Sequence, residues 1–322
     1  KIFEKSVPIN LQNKCKWLSE MDKKKQSSIF GLEDEKLKMA LDRKYTIPFI
    51  FDGIKSEKNE LFKILIFTDL DGSLLHRDTF KFDEIKDYLK QLLSKGIFII
   101  PNTSKTEKEI LEFNNELGSS LPYISENGSA INGLDLLNSN LPKELILSRE
   151  KDSLIKIYEK SVPVNLQNKC KWLSEMDKKK QSLIFGLEDD KLKMALDRKY
   201  TIPFLFEGSK SEKNELSRIV KSKGLALQEG GRVINLTDKV NKAKALQVFV
   251  RFFKKNNKNV KTIAVGDNYN DLDMLKTSDF PCLVFNDKFT LDEIHIKNLI
   301  TTNKPSPEGW ADVIKKALVK VN

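Results

Sequence analysis

Three cysteines, Cys15, Cys170 and Cys282, are too few for a disulfide framework, and the first two are copies of one position. This speaks against a small disulfide-stapled scaffold and fits a reducing cytoplasm. No apolar run approaches the ~18 residues of a membrane span. No charged, then apolar, then small-residue stretch marks a signal peptide either. The chain opens on Lys1 rather than Met, so its start reads as trimmed or incomplete. Arginine is scarce as well. The formal net charge is +10, yet lysine outnumbers arginine about seven to one. Nucleic-acid readers rely on arginine forks, and acidic residues here are interspersed nearly everywhere. The excess charge reads as a solvated lysine-rich surface, with a mild pull on anionic small molecules.

A repeat is present. Residues 1–61 match residues 156–216 at a constant offset of 155, with seven differences in 61 positions. One extra copy makes no solenoid. Each copy is expected to hold a helix at Leu166–Met176 (Leu11–Met21) and another at Asp189–Arg198 (Asp34–Arg43). An apolar segment, Pro203–Phe206 (Pro48–Phe51), follows. The second copy continues through a helix to Gly224 and into two alternating strands, Leu225–Gln228 and Val233–Leu236, around Gly230-Gly231. The first copy has no such hairpin. Residues 1–61 therefore read as an incomplete duplicate, without catalytic groups, packed weakly or competing for that hairpin.

With 322 residues the chain is long enough for two cored domains. From residue 62 onward strands and helices alternate. The expected order is strand Ile64–Thr68, helix Asp83–Ser94, strand Ile97–Pro101, helix Lys105–Leu117 and strand Tyr123–Ser125. After a long excursion come helix Lys242–Lys254, strand Thr262–Val265, a helix from Asp271, strand Cys282–Phe285 and helix Gly309–Val319. Short, fully apolar strands between helices indicate an α/β, doubly wound parallel, Rossmann-like sheet, with its site beyond the carboxyl ends of the strands. The expected core is 62–132 with 239–322, and residues 133–238 form an inserted α/β cap.

Acidic clusters follow two of those strands. Asp69-Leu70-Asp71-Gly72-Ser73 succeeds Ile64–Phe67, and Gly266-Asp267-Asn268-Tyr269-Asn270-Asp271 succeeds Ile263–Val265. A single Asp-x-Asp is commonly a solvated turn; two clusters at two buried strand ends suggest metal-assisted phosphoryl transfer. Thr103 and Ser104 end another strand, and Lys242 heads the helix after the excursion. An aspartate attacking a phosphate monoester meets anion–anion repulsion, which a magnesium ion shared by the carboxylates relieves. Magnesium accepts a few oxygen ligands and keeps waters. A hydroxyl and an ammonium then hold the phosphoryl oxygens, and the second aspartate can serve the leaving group and the attacking water as acid and base. Taken singly, Thr103 and Asp271 could be helix caps and Lys242 a surface lysine. Their order and placement carry the functional reading.

On these motifs, residues 62–322 resemble the haloacid dehalogenase superfamily of aspartate-nucleophile phosphatases. The resemblance implies Asp69 as nucleophile, Asp71 as general acid/base giving its backbone carbonyl to magnesium, and Thr103 and Lys242 as phosphoryl-binding groups. It implies Asp267 as a further metal ligand, supported by Asn270 and Asp271. Lys242-Ala243-Lys244-Ala245-Leu246 fits the family's lysine motif better from Lys242 than from Lys244. Within the superfamily the likeness is to the mannosyl-3-phosphoglycerate phosphatases. Asn102-Thr103-Ser104-Lys105-Thr106, Ser125–Ile131 and Gly230-Gly231-Arg232 carry it. It implies a phosphorylated sugar-glycerate as partner and a role in making the compatible solute mannosylglycerate. Ser104, Lys105, Asn127, Arg198 and Arg232 are then candidate substrate-binding residues, an arginine meeting the substrate carboxylate. Lys199–Pro203 and Asn235 depart from the family's cap pattern, which leaves a glucosyl analogue open. Sucrose or trehalose phosphate phosphatase and phosphosugar mutase are the alternatives. No nucleic acid or membrane is implied, and oligomeric state is not legible.

Overall fold

The computed structural model describes residues 12–32, 34–41, 49–51, 63–230, 232–255, 259–287 and 294–321. The chain divides into two compact units, residues 1–63 with 257–260 and residues 64–256 with 261–322.

In the first unit, β1 (Cys15–Trp17), helices α1 (Lys23–Phe30) and α2 (Asp34–Leu41) and β2 (Phe49–Phe51) follow in order. Asp22 caps α1 by accepting from Lys25 N (2.9 Å), and Gly31 ends it in a left-handed conformation. β1 and β2 pair antiparallel, Cys15 opposite Phe51 and Trp17 opposite Phe49. The expected Leu11–Met21 helix is not formed over its described part, which holds β1 and a 3-10 turn at Leu18–Glu20. Leu11, Arg43, Pro48 and Ser56–Leu61 lie outside the described residues.

The second unit opens with β3 (Lys63–Thr68), whose Leu65–Thr68 are buried on both faces. Helix α3 (Asp83–Ser94) presents Ile85, Leu89 and Leu92, spaced four and three apart, to the core. β4 (Phe98–Pro101) runs parallel to β3. Helix α4 (Glu107–Leu117) starts with a reciprocal Thr106–Glu109 capping box. β5 (Tyr123–Ser125), β6 (Ala130–Asn132) and β7 (Glu144–Ile146) form a small antiparallel sheet. Glu144–Ile146 sits inside the expected excursion, yet it pairs with β6 beside the core.

Next come α5 (Lys151–Ser161), α6 (Val164–Gln167), β8 (Cys170–Trp172), α7 (Lys178–Phe185), α8 (Asp189–Leu196), β9 (Ile202–Phe206), α9 (Lys210–Ser222), β10 (Leu225–Glu229) and β11 (Ile234–Asp238). Their strands make an antiparallel sheet ordered β10-β11-β9-β8. The expected helix Leu166–Met176 is not formed. Only Val164–Gln167 is α-helical, with a 3-10 turn at Leu173–Glu175, because Cys170–Trp172 pairs with Phe204–Phe206 and Trp172 stacks edge-on against Tyr158 and close to Phe204. Strand pairing and aromatic burial outweigh local helical patterning there. Gly231 of the expected turn lies outside the described residues.

The chain then adds α10 (Lys242–Lys254), β12 (Val260–Gly266), α11 (Leu272–Thr277), β13 (Phe280–Leu283), β14 (Ile300–Thr301) and α12 (Glu308–Val321). The central sheet is ordered β14-β13-β12-β3-β4, and it is an α/β fold with a parallel sheet. Trp310 of α12, fully buried, donates its indole N–H to Thr68 Oγ1 (2.9 Å) and so ties the last helix to the central strand. Among the described residues no helix is long and apolar enough to cross a membrane.

Candidate active site

Strand order places the acidic groups. From β3 the chain winds one way to β4 and later returns on the other side of β3 through β12, β13 and β14, so the crevice between β3 and β12 is where the sheet's winding reverses. Asp69 N, just past β3, donates to Val265 O of β12 (2.9 Å). Asp69, Asp267 and Asp271 are all buried, each with a carboxylate oxygen within 4.8 Å of the others'. Such a group repels itself unless cations sit within it. Lys242, at the first turn of α10 and only 2% exposed, donates to Asp69 Oδ1 (2.6 Å) and Asp271 Oδ1 (2.7 Å). Burial alone would lower this ammonium's pKa, but Asp271 and Asp69 override it and hold it above the ordinary lysine range. Lys244 instead points outward and bonds the Lys239 carbonyl (2.8 Å), so Lys242 is the lysine of the cluster.

Asp271 is occupied by internal bonds. Its Oδ2 accepts from Asp267 N (3.1 Å) and Asn268 N (3.2 Å). It shapes the 267–271 turn and holds Lys242. Burial raises its pKa, against the lowering pull of Lys242. Asp267 accepts from Ser73 Oγ (3.0 Å), Arg77 Nη2 (2.5 Å) and Asn286 Nδ2 (3.1 Å). Its pKa is raised, first by burial and then by Asp271 and Asp69. Gly72 allows this closeness: its φ is +80°, and a Cβ there would lie 2.7 Å from Asp267 Oδ2.

The donor set suits a hard divalent cation, which prefers carboxylate and carbonyl oxygens. Asn270 Oδ1 is buried without a hydrogen-bond partner among the described residues, an acceptor a cation or its water would satisfy. Asp69 and Asp267 would hold magnesium through side chains and Asp71 through its carbonyl, with Asn270 beside them.

Asp71 Oδ1 lies 3.0 Å from Lys105 Nζ, which also reaches Glu109 Oε1 (3.2 Å) and sits 4.9 Å from the Phe80 ring centroid. Withdrawal from bulk water raises the Asp71 pKa, Lys105 opposes this, and Asp69 and Glu109 add to it. The side chain still keeps 39% of its surface open to the cleft. A raised carboxyl beside a carboxylate suits a proton donor. Thr103 is buried, its Oγ1 accepting from Lys105 N (3.4 Å), and it does not line the main cavity. Asn127, in the left-handed region with φ +60°, donates its N–H to Thr103 O (2.8 Å) and lines a neighbouring opening beside Lys242.

A cavity of about 140 Å³ joins Asp69, Asp71, Ser104, Lys105, Asp267 and Asn270 to Arg198 and Arg232. The two arginines differ. Arg198 is spent on Ala195 O (3.0 Å), Ser104 O (3.1 Å) and Thr201 Oγ1 (2.9 Å). Arg232 lies over the Phe80 ring at 5.5 Å. Asn235 lines the same cavity, and its buried Oδ1 has no partner among the described residues.

Four residues escaped the sequence reading. Buried Glu126 accepts from Lys199 N (2.9 Å), Tyr200 N (3.1 Å) and Thr201 Oγ1 (2.6 Å). The Lys199–Thr201 departure is thus a tie onto Glu126. Glu109, Ser73 and Arg77 complete the polar shell. Ser73 and Glu126 stood inside motifs already singled out, and Arg77 offered a signal of its own, an arginine close behind Asp69 in an arginine-poor chain.

A family model described as haloacid dehalogenase-like hydrolase matches residues 66–314. A protein named glucosyl-3-phosphoglycerate/mannosyl-3-phosphoglycerate phosphatase from Persephonella marina is 30% identical over 268 residues, covering 80% of this chain and 98% of that protein. One of the same name from Methanococcoides burtonii is 30% identical over 283 residues, covering 81% and 99%. A solved phosphatase of the superfamily from Bacteroides thetaiotaomicron superposes with a TM-score of 0.59 at 16% identity, covering 79% of this chain and 95% of that one, a likeness of fold. With a family match across most of the chain and an acidic cluster at the sheet's switch point, the chain belongs to the haloacid dehalogenase-like hydrolases.

Proposed function

We propose that this chain is a magnesium-dependent phosphatase that hydrolyses mannosyl-3-phosphoglycerate, or a close glycosyl-3-phosphoglycerate, to the glycosylglycerate and phosphate. The observation that carries the reading is the Asp69 carboxylate, held by a fully buried lysine and opening into a cavity shared with Asp71 and an arginine. In this reading a carboxylate oxygen of Asp69 attacks phosphorus and the ester P–O bond breaks. Asp71 gives its proton to the departing alkoxide. Asp71 then takes a proton from water as that water attacks the aspartyl-phosphate, releasing inorganic phosphate and restoring Asp69. Lys242, kept protonated, and Thr103 serve the phosphoryl oxygens. The cation, when bound, offsets the repulsion between phosphate and carboxylates.

The excursion expected at 133–238, less β7, acts as the cap, and Arg232 is the better placed partner for the substrate carboxylate, because three of the five Arg198 donors are taken by Ala195, Ser104 and Thr201. The names of the Persephonella and Methanococcoides relatives support both sugars. Such a catalyst of solute synthesis would work in the cytoplasm, where its thiols stay reduced. Phosphate release is the test, from mannosyl- and glucosyl-3-phosphoglycerate, sucrose 6-phosphate and trehalose 6-phosphate, with and without magnesium. Turnover of the two glycosyl-phosphoglycerates well above the disaccharide phosphates supports the reading. Preference for a disaccharide phosphate, or isomerisation without phosphate release, overturns it.

A further inference from the structure

We propose that Arg77 and the divalent cation compete for Oδ2 of the Asp267 carboxylate, so that a cation bound there displaces this guanidinium. The inference rests on the cation site proposed above. Asp267 is 3% exposed at its side chain, and its Oδ2 accepts from both Arg77 and Asn286. Two hydrogen bonds fill the two lone pairs of a carboxylate oxygen. Its other oxygen takes Ser73. An inner-sphere metal bond to Oδ2 therefore displaces a donor, and Arg77 is the movable one. Its side chain is 34% exposed and lines the open cavity, whereas Asn286 is buried and also donates to the Asp267 carbonyl (2.9 Å).

Charge points the same way. When ionised, Asp69, Asp267 and Asp271 carry three negative charges and Lys242 returns one positive charge, leaving two for a single dication to cancel. Lys242 serves Asp69 and Asp271, and Arg77 serves Asp267, so Arg77 stands in for the cation at the one carboxylate the lysine does not bond. With the dication in place the guanidinium would face it across one carboxylate, a like-charge contact at short range.

The test uses the full chain, stripped of metal by chelation, as wild type, Arg77→Gln and Arg77→Lys. Mn2+ binding is followed by the electron paramagnetic resonance of the free ion, and thermal melting is recorded with and without Mn2+. Arg77→Gln should bind Mn2+ roughly threefold or more tightly, because the competing ion pair is gone. Its melting temperature should fall below wild type only without the metal, so that Mn2+ stabilises it more. Arg77→Lys should fall between. The gain should persist at about 0.5 M salt, where screening is short-ranged; a gain abolished by salt would mean a distant field and overturn the contact. Equal or weaker Mn2+ binding by Arg77→Gln, with clear binding by wild type, overturns this inference alone. No Mn2+ binding by any of the three proteins removes the cation site and this inference together.

Discussion

Asp69 and Lys242 are the residues on which the chemistry and the local energetics both turn. Replacing Asp69 by Asn leaves shape and hydrogen bonding nearly intact but removes the carboxylate proposed to attack phosphorus. Phosphate release should fall roughly a thousandfold or more while the circular dichroism spectrum is unchanged; sizeable residual turnover would remove Asp69 from that role. Lys242→Met fails differently. It strips the counter-charge from two buried carboxylates 2.6 and 2.7 Å away. Leaving such charges uncompensated costs about 3 kcal/mol or more, to be read as a lower urea midpoint with an unaltered slope. Added Mg2+ should restore part of that loss, because the ion supplies the missing positive charge.

Elements matter where the chain passes into and out of the β10-β11-β9-β8 sheet. Arg149, just before α5, and Asp238, at the end of β11, bridge the entry to and exit from that sheet. Arg149 donates through Nε (2.7 Å), Nη2 (2.8 Å) and its backbone N–H (2.9 Å). The Arg149 side-chain bond is the main reason the Asp238 carboxyl is held down to about 2. Its depressed pKa makes the contribution complete above the unfolded carboxylate value near ~3.9 and lost as pH falls through about 2. Asp238→Asn should therefore destabilise by about 1 kcal/mol at neutral pH, a figure reduced for Arg149's exposure. Urea titrations should show that difference constant above about pH 5 and shrinking below about pH 4. A difference independent of pH would detach the effect from this pair. Gly128 tests the other passage. With φ +95°, its added Cβ would lie 2.3 Å from the Asn241 carbonyl oxygen, directly before Lys242. Gly128→Ala should cost about 2 kcal/mol in backbone strain and clash, seen as a lower melting temperature, and should shift the start of α10 enough to slow turnover.

For the molecule as a whole, the open question is what residues 1–61 contribute. Their β1–β2 register, Cys15 opposite Phe51, matches β8–β9, Cys170 opposite Phe206, in the repeat partner. Yet every group of the acidic cluster lies beyond residue 61. Deleting residues 1–61 should leave phosphate release within about twofold, measured alongside light scattering for oligomeric state. A several-fold rise in turnover would make the segment inhibitory, and a change in assembly would make it an association element.

Much of this was readable in the residues themselves. Short apolar runs ending in acidic clusters located Asp69 and Asp267, since a fully buried strand needs continuous apolar sequence and its carboxyl end must meet solvent or ligand. The lysine pattern chose Lys242 over Lys244; Lys242 bonds Asp69 and Asp271, whereas Lys244 is exposed. Other features depend on distances between remote residues, which no local pattern encodes. Cys170–Trp172 became a strand because Phe204–Phe206 and Tyr158 were there to pair and stack. Glu126 acquired its partners from residues more than seventy positions away, and Arg77 met Asp267 across 190. The acidic chemistry was thus written in short motifs, because each motif needs only its own strand. Which cation neutralises which carboxylate, and which arginine is tied up within the fold, follow from packing that joins distant segments.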